Sequence, residues 1–207
     1  MKIALIGASG YTGSKILTEA LARGHSLTAI VRNPDKLPQH SRLIGQTGDV
    51  TNCDELARLS AGHDVLISAF NPGKDATGTG SRSIIEATKR SRISRLIVVG
   101  GAGGLEIAPG RCLVDEPDFP SEWKDGALKT ATFLDLLRNE PELNWTFLSP
   151  AANLEPGERT GTYRLGGDRL LTDAGGVSRI STADLAVALL DEVERPQHNR
   201  RRFTVAY

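Results

Sequence analysis

Little in this chain points to a charged or macromolecular partner. Cysteine is scarce: only Cys53 and Cys112 occur, far apart, so a disulfide framework is unsupported and a reducing cytoplasm is the expected setting. His25, His40, His63 and His198 share no ligand spacing, so no metal site is expected and each histidine is read as a surface residue. The 25 basic and 25 acidic residues cancel, which removes the electrostatic ground for binding nucleic acid or an anionic membrane. Long apolar runs are missing as well. The first, Ile3 to Ile6, is cut by Gly7 and Gly10, and none approaches the roughly 20 residues that a membrane span needs. These absences leave a cytoplasmic protein acting on a small-molecule acceptor, as a monomer or weak homodimer.

What the chain does have is alternation. Short aliphatic runs at Ile3–Ile6, Leu27–Val31, Arg42–Gly45, Val65–Ala69, Leu96–Val99 and Trp145–Leu148 read as strands. Amphipathic stretches at Thr12–Arg23, Asp54–Ala61, Thr79–Arg92 and Ser121–Arg138 read as the helices between them. Gly24 supplies a helix stop, Asn33-Pro34 an N-cap with proline at N1, and Ser181-x-x-Asp184 a capping box before the Leu185–Val193 run. The fold class is therefore α/β: a doubly wound parallel sheet with helices on both faces. Residues 1–207 form one domain, closing with a strand in Arg201–Tyr207. The irregular segments 103–120 and 150–172 build a small C-terminal substrate-side lobe, in which Gly166-Gly167 marks the turn of a hairpin.

Gly7-x-x-Gly10-x-x-Gly13 follows the first strand and opens the first helix, the context in which a glycine pattern signifies a phosphate loop. The first glycine permits the tight turn, the second lets a pyrophosphate approach the backbone, and the third lets the helix pack close to the sheet. This is the Rossmann fingerprint of a dinucleotide-binding domain. Arg32 ends the second strand, where NAD-preferring proteins carry an acidic residue for the ribose 2′-hydroxyl. An arginine cannot accept that bond but can pair with a 2′-phosphate, so NADPH is preferred over NADH, with Lys36 as a second charge. Asp49 and Val50 follow the third strand at the adenine end, although Asp49 is equally a helix-start residue. Ser68, Ala69 and Phe70 end the fourth strand, so their backbone should line the crevice.

The segments GASGYTG at Gly7–Gly13, VRNPDKL at Val31–Leu37, GDV at Gly48–Val50, GTYRL at Gly161–Leu165 and SRIS at Ser178–Ser181 carry a resemblance. Together they are similar to atypical short-chain dehydrogenases of the flavin reductase group, which includes biliverdin reductase B and bacterial NADH-flavin reductases. The resemblance covers most of the chain. It implies that Gly7, Ser9, Gly10, Tyr11, Thr12 and Gly13 hold the pyrophosphate, that Arg32 takes the 2′-phosphate, and that Asp49 and Val50 contact adenine. It carries over no catalytic residue. Where biliverdin reductase B has serines beside the substrate, this chain reads Gly100-Gly101-Ala102-Gly103-Gly104.

Tyr11-x-x-x-Lys15 has the spacing of the proton-transfer pair of carbonyl-reducing short-chain dehydrogenases, but it lies at the phosphate end of the cofactor. The helix that should carry the pair, Ser121–Lys129, has no tyrosine, and Lys129 reads as a solvated lysine. Reduction of an oxidised flavin needs no protein acid, since hydride goes to the flavin and water supplies the proton. Gly100 and Gly101 suit that task by leaving a flat opening beside the nicotinamide, with flavin as substrate rather than prosthetic group. Asn153 and Arg164 face the substrate cleft or support the hairpin, and Cys112 beside Arg111 is a candidate oxidant sensor. The expected function is an NADPH-dependent reductase of a flavin or similar planar acceptor such as a quinone. The alternatives are a non-catalytic redox sensor of the NmrA-like type and, against the missing tyrosine, a sugar-nucleotide epimerase.

Overall fold

A computed structural model describes residues 1–207. Its strands are β1 Lys2–Ile6, β2 Ser26–Val31, β3 Leu43–Thr47, β4 Val65–Ser68, β5 Arg95–Val99, β6 Glu106–Ala108, β7 Arg111–Cys112, β8 Asn144–Pro150, β9 Asn153–Glu155, β10 Arg164–Gly166, β11 Arg179–Ser181 and β12 Arg201–Ala206. Its helices are α1 Gly13–Ala22, α2 Cys53–Ser60, α3 Gly80–Arg90, α4 Ser121–Arg138 and α5 Thr182–Glu194. Eight strands form one sheet in the order β10-β12-β8-β5-β4-β1-β2-β3, parallel throughout except where β10 meets β12.

The central strands are continuous apolar runs because both faces are covered. Period-two alternation sorts their residues. Ile3, Leu5, Val65, Ile67 and Ile97 face α1 and α5, packing with Ile16, Leu17, Leu185 and Leu189. Ala4, Ile6, Leu66, Leu96 and Val98 face the other layer, packing with Leu56 of α2, Ile84 of α3, and Phe133 and Leu137 of α4. Strand order reverses at β1, with β2 and β3 on one side and β4, β5 and β8 on the other, so a crevice opens where the loops after β1 and β4 part.

The local stop and start signals hold except for the second half of the capping box, since the Ser181 N–H donates to the Tyr207 hydroxyl at 3.3 Å and not to Asp184. Gly24 adopts φ +87° after α1, Asn33 accepts from the Asp35 N–H at 2.9 Å, and Ser181 caps α5 by accepting from the Asp184 N–H at 2.9 Å. The hairpin at Gly166-Gly167 does not form. β10 pairs with the last strand, Gly166 opposite Thr204, and the chain beyond turns to β6, where Leu170 N–H donates to Glu106 at 2.9 Å. A Cβ on Gly166 would stand 3.0 Å from Leu171, so tight packing explains that glycine without a turn. The C-terminal segments otherwise contribute the parallel pair β9·β11, which follows directly from the exit of β8.

The histidine expectation is corrected in the same way. His25 is buried, with Nε2 2.9 Å from Glu194, His63 lies 2.8 Å from the Thr28 hydroxyl, and His198 stacks on Phe203 beside Glu192. Only His40 lies on the surface. Polar neighbours in sequence say little about a ring whose apolar faces pack while its nitrogens find partners.

Asp184 does more than its capping position implies. Fully buried, its carboxylate accepts from the Thr160 N–H at 2.9 Å, the Thr160 hydroxyl at 2.7 Å, the Gly161 N–H at 2.7 Å and the Tyr207 hydroxyl at 2.6 Å. Burial pushes its carboxyl up, but the bonds from Tyr207 and Thr160 outweigh that and hold it below the ordinary carboxylate value. Asp184→Ala should therefore cost about 3 kcal/mol in urea unfolding, because four hydrogen bonds that converge on one buried carboxylate are lost together. A depressed folded value means stability present above the unfolded pKa of about 4 and lost as pH falls through the folded value. The gap between wild type and Asp184→Ala should accordingly narrow as the pH is lowered from about 5 toward 2.

Candidate functional site

The loop after β1 is built by exclusion of side chains. Gly7 turns out of the strand with φ +78°, its N–H on the Ile30 carbonyl at 3.1 Å and its own carbonyl taking the Gly10 N–H at 2.9 Å. A Cβ on Gly7 would come 2.8 Å from the Ala69 carbonyl oxygen, which shows how closely the exits of β1 and β4 meet. Gly13 is stricter still, since its Cβ would lie 2.0 Å from the Gly7 oxygen. At the start of α1 the Thr12 side chain makes no cap and the first turn has no acidic residue. The N–H groups of Tyr11, Thr12 and Gly13 donate to no acceptor in the chain. Three free donors at the positive end of a helix, approached past Gly7 and Gly10, fit the pyrophosphate of a dinucleotide. Ser9 and Gly10 are exposed beside them.

Tyr11 and Lys15 are not brought together. The Tyr11 ring is exposed and its hydroxyl donates to the Leu154 carbonyl of β9 at 3.4 Å, whereas Lys15 is exposed on α1.

At the exit of β2, Arg32 is exposed and enters no hydrogen bond or ion pair. Asp49 holds the Thr51 N–H at 2.9 Å and the Thr51 hydroxyl at 2.8 Å through one oxygen. Those bonds, with the Arg32 charge as a smaller contribution, hold its carboxyl below the usual value. Asp49 does not start the helix. That place belongs to Asn52, which accepts from the Glu55 N–H at 3.1 Å. Val50 is half-buried against the α2 and α3 cluster, and Lys36 is exposed in the turn Pro34–Lys36. Across the switch point, Ser68 is fully buried and its hydroxyl accepts from the Phe70 N–H at 3.4 Å. The backbone of Ala69 abuts Gly7, and the Phe70 ring packs over Gly80, where a Cβ would meet it at 2.7 Å.

The glycine run after β5 departs from expectation. A Cβ on Gly100 would lie 2.0 Å from the Phe147 ring of β8, and one on Gly103 would lie 2.7 Å from Ala127 of α4. These two glycines are demanded by packing, whereas Gly101 has ordinary room, 3.6 Å to Thr130. Gly100→Ala should therefore cost about 1–3 kcal/mol in denaturant unfolding, while Gly101→Ala stays within about 0.5 kcal/mol of wild type.

Lys129 is half-buried, with 37% of its side chain exposed to solvent. Its Nζ sits 2.9 Å from Asp125, one turn earlier on α4, and 3.4 Å from the Asp75 carbonyl in the loop beyond β4. Asp125 belongs to no motif, and only its position four residues before Lys129 marks it in the sequence. Arg164 bonds the Thr172 carbonyl at 2.8 Å and the Tyr207 carbonyl, so it braces β10. Asn153 is exposed at the exit of β8, anchored by its N–H on Ser178 at 2.9 Å. The Cys112 thiol is pushed up by burial and then by Asp115, and Arg111 turns to Glu116 at 3.1 Å, which removes the basis for an oxidant sensor.

A doubly wound parallel sheet with a glycine-rich loop and an uncapped helix N-terminus at its switch point defines a dinucleotide-binding protein of the Rossmann type. The chain belongs to the NAD(P)H-binding family, whose model matches residues 7–193. It is 42% identical to the YwnB protein of Bacillus subtilis over 211 residues, covering 99% of this chain and 98% of that protein. Among solved structures it is similar to a provisionally assigned epimerase from Bacteroides thetaiotaomicron, at 45% identity and TM-score 0.96, covering 100% of this chain and 96% of that one. It is also similar to a provisionally assigned NADH-flavin reductase from Streptococcus pneumoniae, at 38% identity and TM-score 0.84, covering 100% and 99%.

Proposed function

We propose that the protein is an NADPH-dependent reductase that delivers hydride to a flavin or a similar planar acceptor such as a quinone. The observation that carries this reading is the Asp125–Lys129 pair. Four residues before the half-buried lysine, where carbonyl reduction needs a tyrosine acid, stands a carboxylate ion-paired to that lysine at 2.9 Å. A bound nicotinamide supplies the hydride. The chain's own residues orient and bind: the free N–H groups of Tyr11, Thr12 and Gly13 take phosphate oxygens, Arg32 takes the 2′-phosphate, and Asp49 and Val50 flank adenine. Ser9, Gly10, Ala69 and Gly101 leave the backbone approachable. The acceptor takes its proton from water, so the missing tyrosine costs this reaction nothing. The same absence weighs against epimerisation of a sugar nucleotide.

The test is NADPH consumption across an acceptor panel. Saturable turnover with flavin mononucleotide, riboflavin or dichlorophenolindophenol, and none with simple aldehydes and ketones, is expected. Tight NADPH binding without consumption by any acceptor would favour the redox-sensor reading instead.

A further inference from the structure

Only two Phe, Tyr or Trp side chains of the whole protein are exposed, Tyr11 at 56% and Trp123 at 62%, and both belong to segments at the carboxyl edge of the sheet, the loop after β1 and the first turn of α4. The remaining aromatics are buried or half-buried. Tyr11 rises from the loop that feeds α1, on one face of the sheet, and reaches toward the exit of β8 by its bond to Leu154 at 3.4 Å. Trp123 stands on the opposite face, near the start of α4.

Its place on α4 follows from helical spacing. Gly126, Ala127 and Thr130 seat the helix on the loops after β4 and β5. A Cβ on Gly73 would lie 2.8 Å from Gly126, one on Gly103 would lie 2.7 Å from Ala127, and one on Gly101 would lie 3.6 Å from Thr130. Trp123 precedes these residues by three, four and seven positions, so it shares their face one turn nearer the helix N-terminus. α4 crosses from β5 back to a parallel β8, so that N-terminus lies at the carboxyl edge of the sheet, where the crevice opens. Helical side chains lean toward the N-terminus of their helix, which directs the indole toward that edge. A tryptophan so exposed leaves a large apolar face in water, and planar aromatic ligands are what such a face receives best.

From this arrangement we infer that Trp123 is the platform on which the acceptor ring stacks, and hence a specificity-determining residue for planar aromatic acceptors. The inference rests on the reductase reading above and adds the group that selects the substrate. It explains how a crevice whose loop after β5 is mostly glycine can prefer a flat ring. One wall supplies approachable backbone and the other supplies a π surface.

Two measurements test it. In kinetics with flavin mononucleotide, Trp123→Ala should raise KM at least tenfold and Trp123→Phe should recover most of that loss, while NADPH dissociation constants stay within twofold of wild type. In fluorescence, the second tryptophan, Trp145, is buried in the core at 3% exposure, so quenching by riboflavin or lumichrome in the presence of NADP+ reports on Trp123. Saturable quenching is expected in wild type and should vanish in Trp123→Phe. Turnover with an unchanged KM in Trp123→Ala, or quenching that persists in Trp123→Phe, would overturn the platform and leave the reductase reading intact. Absence of turnover in wild type would overturn the reductase reading, and the quenching experiment would still decide whether Trp123 receives a planar ring. A dimer that forms on raising wild-type concentration and is lost in Trp123→Ala would assign the indole to a second copy of the chain and overturn the proposal.

Discussion

Gly13→Ala is expected to weaken NADPH binding by about 100-fold or more, or about 2.8 kcal/mol at tenfold per 1.4 kcal/mol. Helix propensity alone argues the other way, since alanine in place of a helical glycine is worth up to about 1 kcal/mol in favour of the fold. The contact decides the sign. A methyl group at this position would lie 2.0 Å from the Gly7 oxygen and 2.8 Å from its carbonyl carbon, both backbone atoms that cannot rotate away. Either α1 retreats from the sheet or the Gly7–Gly10 turn opens, and each movement displaces the N–H groups of Tyr11, Thr12 and Gly13 from one another. Calorimetric titration measures the loss, and the rise in melting temperature that NADPH gives to wild type should disappear. Gly167→Ala is the control. Nothing lies within 4 Å of its Cβ position, and NADPH binding should not change.

Arg32→Ala should raise the dissociation constant for NADPH by about 10- to 100-fold, since a charge-assisted bond to phosphate contributes about 1.5–3 kcal/mol. NADH should bind as before, within twofold. The expectation follows from what Arg32 lacks: it stands at the exit of β2 without an ion pair or hydrogen bond, so its guanidinium needs no internal partner to be broken before it meets a ligand. Salt should sharpen the diagnosis, because an exposed pair with a dianionic phosphate weakens as ionic strength rises. Equal constants for the two nucleotides, unchanged by the substitution, would remove the argument for NADPH.

The parts of this molecule that one strand or one helix end determines were legible in the sequence. Continuous aliphatic runs such as Val65–Ser68 announce strands buried on both faces, and Gly7, Gly10 and Gly13 announce the loop because strand, spacing and helix all agree. Where pairing over long sequence distance decides, the reading failed. Gly166 pairs with Thr204 rather than with a hairpin neighbour, and Gly100 is small because Phe147, from a strand nearly fifty residues on, fills the space above it. Nothing local to Gly100 or Gly166 encodes those neighbours. The histidines differ from expectation for a related reason: an amphipathic side chain in a polar stretch is placed by partners such as Glu194 for His25, which no window around it contains. Asp184 lies between these cases, since its cap position was readable while its bonds to Thr160 and Tyr207 were not.

The central claim is that this chain binds NADPH at the β1 loop and passes hydride to a planar acceptor without a protein acid. It is tested most directly by following anaerobic oxidation of NADPH at the nicotinamide absorbance with flavin mononucleotide, using cofactor deuterated on either face of C4, in wild type and in Lys129→Met. Saturable oxidation above the protein-free rate is expected, slowed by deuterium on one face only and with a kcat in Lys129→Met within threefold of wild type. NADPH that binds tightly yet is consumed no faster than without protein, or a kcat that collapses in Lys129→Met, would contradict it.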